Sequence, residues 1–98
     1  MIYARVSIVT AQPGKLDEIR NVYRDSIVPP LKKQKGFKGY YVLIDRNTGK
    51  GMSISLWNTQ ADMMANESSG FQREQAAKVV PLLAGTPTLE RYEVSLQG

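Results

Sequence analysis

The chain has 98 residues, with thirteen Lys and Arg against nine Asp and Glu for a formal net charge of +4, and it contains neither Cys nor His. That composition excludes disulfides, a thiolate nucleophile, a Cys/His zinc site, a His-ligated haem and every His-based triad. The length predicts one domain over residues 1–98, which buries only about 60 % of its unfolded surface and gains from any added cover.

Residues Ile2 to Thr10 read as a strand, β-branched and nearly alternating, before the turn Gln12-Pro13-Gly14. Leu16, Ile19, Tyr23 and Ile27 then fall three or four apart, the spacing of one helix face. Pro29 and Pro30 are expected to break or kink that helix, each lacking a donor and crowding the turn before it. A fresh turn is expected over Leu31 to Lys35, closed by Gly36. Phe37 to Asp45 reads as a second strand that is apolar on both parities, Tyr40, Val42 and Ile44 on one side and Tyr41 and Leu43 on the other. A hairpin loop over Asp45 to Lys50 follows.

The third strand is expected from Met52 to Trp57, with Met52, Ile54 and Leu56 on one face and Ser53, Ser55 and Trp57 on the other. Thr59 with Asp62 reads as a capping box opening a helix through Met63 and Met64. Ser68, Ser69 and Gly70 interrupt it, and a further helical segment is expected from Phe71 to about Val80, ended by Pro81. Thr88 to Leu96 reads as the fourth strand, Leu89 on one parity and Tyr92, Val94 and Leu96 on the other.

The order β-α-β-β-α-β predicts an α+β, ferredoxin-like fold, an antiparallel four-stranded sheet with both helices on one face. The other face should be polar, yet strands two and three are apolar there, leaving a patch larger than monomers usually expose. A second copy is the simplest cover, so Met52, Ile54 and Leu56 are assigned to a homodimer interface. A membrane or ligand surface is the alternative weighed.

Ser53 and Ser55 beside Trp57 then point beneath the helices, where small polar groups next to a large ring leave space. Phe71, Gln75 and Val79 form a stripe at four-residue spacing, with an amide at its centre. A buried amide needs partners, from core backbone or from a wet or occupied cavity. Met64, with Met63, reads as a pliable pocket lid. Ser53, Ser55, Trp57, Met64, Phe71 and Gln75 are therefore the substrate-binding candidates. No catalytic base is assigned, and no metal ligands are identified.

Lys32, Lys33, Lys35 and Lys38 lie where a helix C-terminus favours cations. There is no phosphate loop and no RNP-like run, so no nucleic-acid partner is expected. No apolar run reaches the roughly 18 residues of a membrane span. The opening Met1-Ile2-Tyr3-Ala4-Arg5 carries a charge and no cleavage pattern, so a signal peptide is not expected and the cytoplasm is the expected compartment.

Three segments carry a family resemblance: Gly36-Phe37-Lys38-Gly39-Tyr40, Ser53-Ile54-Ser55-Leu56-Trp57 and Ser69-Gly70-Phe71-Gln72-Arg73. Together they resemble the antibiotic biosynthesis monooxygenase-like, dimeric α+β barrel family. The resemblance implies two ferredoxin-like chains with sheets face to face and a cavity under the helices of each. It also implies either cofactor-free oxygenation of anthrone- or quinol-like aromatics, haem degradation, or no known activity. In the haem-degrading branch a His ligates iron where this chain has Gln75, and a strand-one Asn falls at Ala4 or Ser7. Only Trp57 matches that branch, so no cofactor is expected. In the aromatic-oxidising branch an amide stands four residues before the Trp, where this chain has Ser53. The expectation is a small cofactor-independent monooxygenase acting on an aromatic small molecule. Its alternatives are a non-catalytic dimeric ligand-binding or structural barrel, and a basic surface for an acidic macromolecule.

Overall fold

A computed structural model describes residues 1–98 as one antiparallel sheet carrying helices on a single face. The strands are β1 (Tyr3–Thr10), β2 (Phe37–Asp45), β3 (Lys50–Trp57) and β4 (Thr88–Glu93), in the order β2-β3-β1-β4. This is the ferredoxin-like α+β arrangement. In register, Ser7 faces Ser53 on one side and Leu89 on the other, and Arg5 faces Ser55 and Arg91. The pairing of Tyr40 with Ser55 and Val42 with Ser53 completes the row. Side chains directly opposite on a ladder share a face, so the odd-numbered residues of β1 and β3 form the floor beneath the helices.

The fourth strand stops at Glu93 rather than continuing to Leu96. A single backbone bond from Val94 to the Ile2 carbonyl, 2.9 Å, ends its attachment. At the start of β2 the register slips between Phe37 and Gly39. That bulge lets Phe37 and Tyr40, three apart in sequence, both turn toward the helices: Phe37 packs edge-on against Trp57 at 5.8 Å and Tyr40 lies 6.0 Å from Tyr23.

The first helical layer is α1 (Leu16–Val22), a wider turn over Tyr23–Ile27, and α2 (Val28–Leu31). The helix runs through Pro29 and Pro30 instead of breaking there. Val28 N–H reaches five residues back to the Tyr23 carbonyl, and this widened turn eases the proline rings past the preceding backbone. Pro30 leaves the Ser26 carbonyl without its usual helical donor, and Lys78 Nζ donates to it at 2.9 Å. After α2 the chain turns at Gly36, whose φ of +81° suits glycine, and a Cβ there would overlap the Asp62 carboxylate.

The second layer is α3 (Gln60–Ser68) and α4 (Phe71–Ala76). Thr59 Oγ1 accepts from the Asp62 N–H at 3.0 Å, the expected cap. Gly70 (φ +86°) separates the two helices. α4 ends at Ala76, earlier than the apolar stripe suggests, because Lys78 and Val79 tighten onto carbonyls three residues back and lead into a short turn over Val80–Leu82. The core between layers falls into two clusters, Val9, Ala11, Ile19, Tyr23, Ile27, Val79 and Leu83 in one and Leu31, Trp57 and Met63 in the other, with Tyr40 packed against both. No helix is long and apolar enough to cross a membrane.

Candidate functional site

Between floor and helices lies an interior cavity of about 30 Å³. Its floor is Arg5, Ser7 and Val9 from β1, Tyr40 from β2, and Ser53 and Ser55 from β3. Its roof is Tyr23 and Ile27 on one side and Phe71, Gln75 and Val79 on the other. Three serines on adjacent strands, where a packed core would carry Val or Leu, leave the space that the helices bridge. Of the six residues expected there, Ser53, Ser55, Phe71 and Gln75 line the cavity. Trp57 does not. Its ring is fully buried beside the cavity, its Nε1–H donates to Ser55 Oγ at 2.9 Å, and the Arg5 guanidinium lies 5.1 Å from its centroid. Met64 faces outward on α3 and is 44 % exposed.

Gln75 is buried and its amide oxygen accepts from Lys78 Nζ at 2.7 Å, the same ammonium that serves the Ser26 carbonyl. What Gln75 can offer the cavity is therefore its NH₂. Burial pushes the phenols of Tyr23 and Tyr40 above the ordinary 10, Tyr40 the further, while the Ser53 hydroxyl pulls both back. Both phenols stay protonated at neutral pH and act as hydrogen-bond donors, not bases. The cavity wall contains no carboxylate, and no group of three or more His, Cys, Asp or Glu gathers anywhere in the fold.

Arg5 is the charged member of the wall and is 4 % exposed. Its Nη2 donates to Asn66 Oδ1 at 2.9 Å, and Asn66 in turn donates to Gln34 Oε1 at 3.0 Å. Glu67 stands 3.6 Å from Arg5 Nη1 and also accepts from Arg91 Nε at 3.0 Å. Burial pulls the Arg5 guanidinium downward and Glu67 opposes this; an arginine remains cationic throughout. Arg5, Ser7, Tyr23 and Tyr40 were not singled out from the sequence as site residues. The charge of Arg5 inside an apolar strand was visible there, but its position opposite Ser55 depends on strand register.

The fold agrees with the outcome of comparison with known proteins. The model of the family described as antibiotic biosynthesis monooxygenase matches residues 1–77, and the chain belongs to that family. An uncharacterized protein of Mycobacterium tuberculosis is 31 % identical over 97 residues, 98 % of this chain and 40 % of its own length. Another from the same organism is 29 % identical over 99 residues, 97 % of this chain and 42 % of its own length. The chain thus spans about two fifths of the curated relatives it matches. Among solved structures, a mutant of SnoaB, a cofactor-independent oxygenase from Streptomyces nogalater, superposes with a TM-score of 0.79 at 14 % identity, covering 98 % of this chain and 95 % of that one. A putative antibiotic biosynthesis monooxygenase from Bordetella bronchiseptica gives 0.79 at 17 % identity, covering 97 % and 98 %. At these identities the two structures establish the shared fold.

Proposed function

We propose that the chain is a small cofactor-independent monooxygenase acting on an aromatic, quinol- or anthrone-like molecule in the cavity between sheet and helices. The observation that carries this reading is the cavity wall itself, where three serine hydroxyls, two protonated phenols and one guanidinium stand among Ile27, Phe71 and Val79. Such a wall suits a flat ring bearing an oxygen anion, whose charge the donors stabilise away from water. Family membership and the fold shared with SnoaB support it.

In the reaction a ring CH₂ becomes C=O. One oxygen atom of O₂ enters the carbonyl and the other leaves as water, so the substrate supplies all the electrons. With no carboxylate in the wall, the protein's part is to bind the ionised substrate, orient it and exclude solvent. The cavity as it stands has room for roughly one or two water molecules, so admission of a ring requires a wall to move. Proteins of this family are commonly dimeric. The proposal includes a homodimer in which a second copy covers Met52, Ile54 and Leu56.

The missing carboxylate favours one second reading, a ligand-binding barrel without turnover. Oxygen uptake with anthrone separates the two. The oxygenase consumes O₂ as the quinone forms, and Ser53→Leu, which fills the floor, lowers the rate at least about tenfold. Saturable binding of anthrone with no oxygen uptake would leave only the second reading.

A further inference from the structure

Arg5 and Arg91 are direct cross-strand partners on β1 and β4. Like charges in that position repel. Glu67 lies between them and neutralises one of the two. Arg5 is nearly sealed from solvent; its Nη2 donates to Asn66 at 2.9 Å, its Nη1 reaches the Met63 carbonyl at 3.5 Å and stands 3.6 Å from Glu67, and its five-pronged fork keeps capacity for one further acceptor. Glu67 is shared between buried Arg5 and half-exposed Arg91, so Arg5 holds only part of one carboxylate's charge, and it lines the cavity.

A groove of about 310 Å³ lies on the outer side, lined by Glu67, Gln72, Arg73 and Pro87 among others. Cavity and groove share Ser7, Gln72, Ala76, Pro87 and Leu89 as walls. The partition between them is therefore α4 and the start of β4. α4 is only six residues long, preceded by Gly70 in the left-handed region and followed by irregular turns. It is the wall able to yield. Arg73 lines the groove and Arg5 lines the cavity, so two cations stand on this route, and its one carboxylate, Glu67, is also paired with Arg91.

We propose that Arg5 determines specificity by holding an aromatic substrate as its oxyanion, admitted between α4 and β4. This rests on the functional reading above but is tested by binding alone. Isothermal titration of the full chain compares 4-nitrophenolate with nitrobenzene, the same ring without the anionic oxygen, at mildly alkaline pH. The phenolate is expected to bind about tenfold tighter or better, the scale of one charge-assisted hydrogen bond. Arg5→Met should erase that preference and Arg5→Lys should keep part of it. Gln72→Trp, which plugs the shared wall, should weaken both probes. Equal affinity for the two probes in the unaltered protein would overturn the proposal even if Arg5→Met failed to fold. An unchanged preference in folded Arg5→Met, or unchanged binding in Gln72→Trp, would do the same. A phenolate preference without oxygen uptake would sink the monooxygenase reading and leave this one standing; oxygen uptake with equal probe affinities would do the reverse.

Discussion

The two faces of the sheet invert the usual rule. The face under the helices carries Arg5, Ser7, Ser53 and Ser55, while the face with no cover carries Ile8, Met52, Ile54 and Leu56, with Tyr41 59 % and Leu43 49 % exposed. Ordinary half-solvated sheets put apolar residues inward and polar ones outward. Here the covered face keeps polar groups because they surround a space rather than fill one. The bare face keeps apolar groups because the helices of one chain are all on the other side. The difference teaches that a sheet's interior cannot be assigned from polarity alone. It needs the count of elements available to cover each side.

The comparison can be broken or sharpened by experiment. The largest effect is expected at Trp57, which closes the covered face beside the cavity and is fully buried. Trp57→Ala should cost about 3–5 kcal/mol in urea unfolding. Ile54→Glu tests the opposite face. If a second copy lies there, a charge buried in the interface should weaken the dimer by about 2–4 kcal/mol, seen in sedimentation as a shift to single chains. A wild-type protein that sediments as a monomer at micromolar concentration would refute the covering copy.

A smaller loss is expected from Lys78→Met, which strips one ammonium from both the Ser26 carbonyl and the Gln75 amide. Orphaning two acceptors of this kind should cost about 1–3 kcal/mol, and a neutral result would mean that water replaces the ammonium.

The smallest effect is spectroscopic. The unfolded phenol ionises near 10, and folded Tyr23 and Tyr40 ionise higher because they are buried. Each therefore contributes stability that is fully present below pH 10 and is lost as pH rises through its folded value. Titration of tyrosine absorbance should show a late component that shrinks in Tyr40→Phe and in Tyr23→Phe. A Tyr40→Phe titration that loses amplitude near pH 10 and keeps the late component would place that phenol in water.

The strand parities were legible because they depend only on alternation along the chain. Tyr40 and Val42 were expected opposite to Tyr41 and Leu43, and Ser53 and Ser55 opposite to Met52 and Ile54, and the sheet places them so. The helix through Pro29 and Pro30 was not legible, since it runs on through a widened turn over Tyr23–Ile27 and its orphaned Ser26 carbonyl takes a donor from Lys78, 52 positions away. Trp57 was expected in the cavity on parity alone. It is on the correct face but one row beyond, enclosed by Phe37, Leu31 and Met63.

By itself, then, the sequence determined the order of elements, the antiparallel α+β fold and which residues share a face, because periodicity and turn chemistry act over a few neighbours. The tertiary structure alone decided that Arg5 meets Ser55 and Arg91 and that two tyrosines from different layers line one cavity with Ser53. It also decided that α4 divides cavity from groove. These are contacts between residues far apart in the chain, set by strand register and helix placement, and no local pattern encodes them.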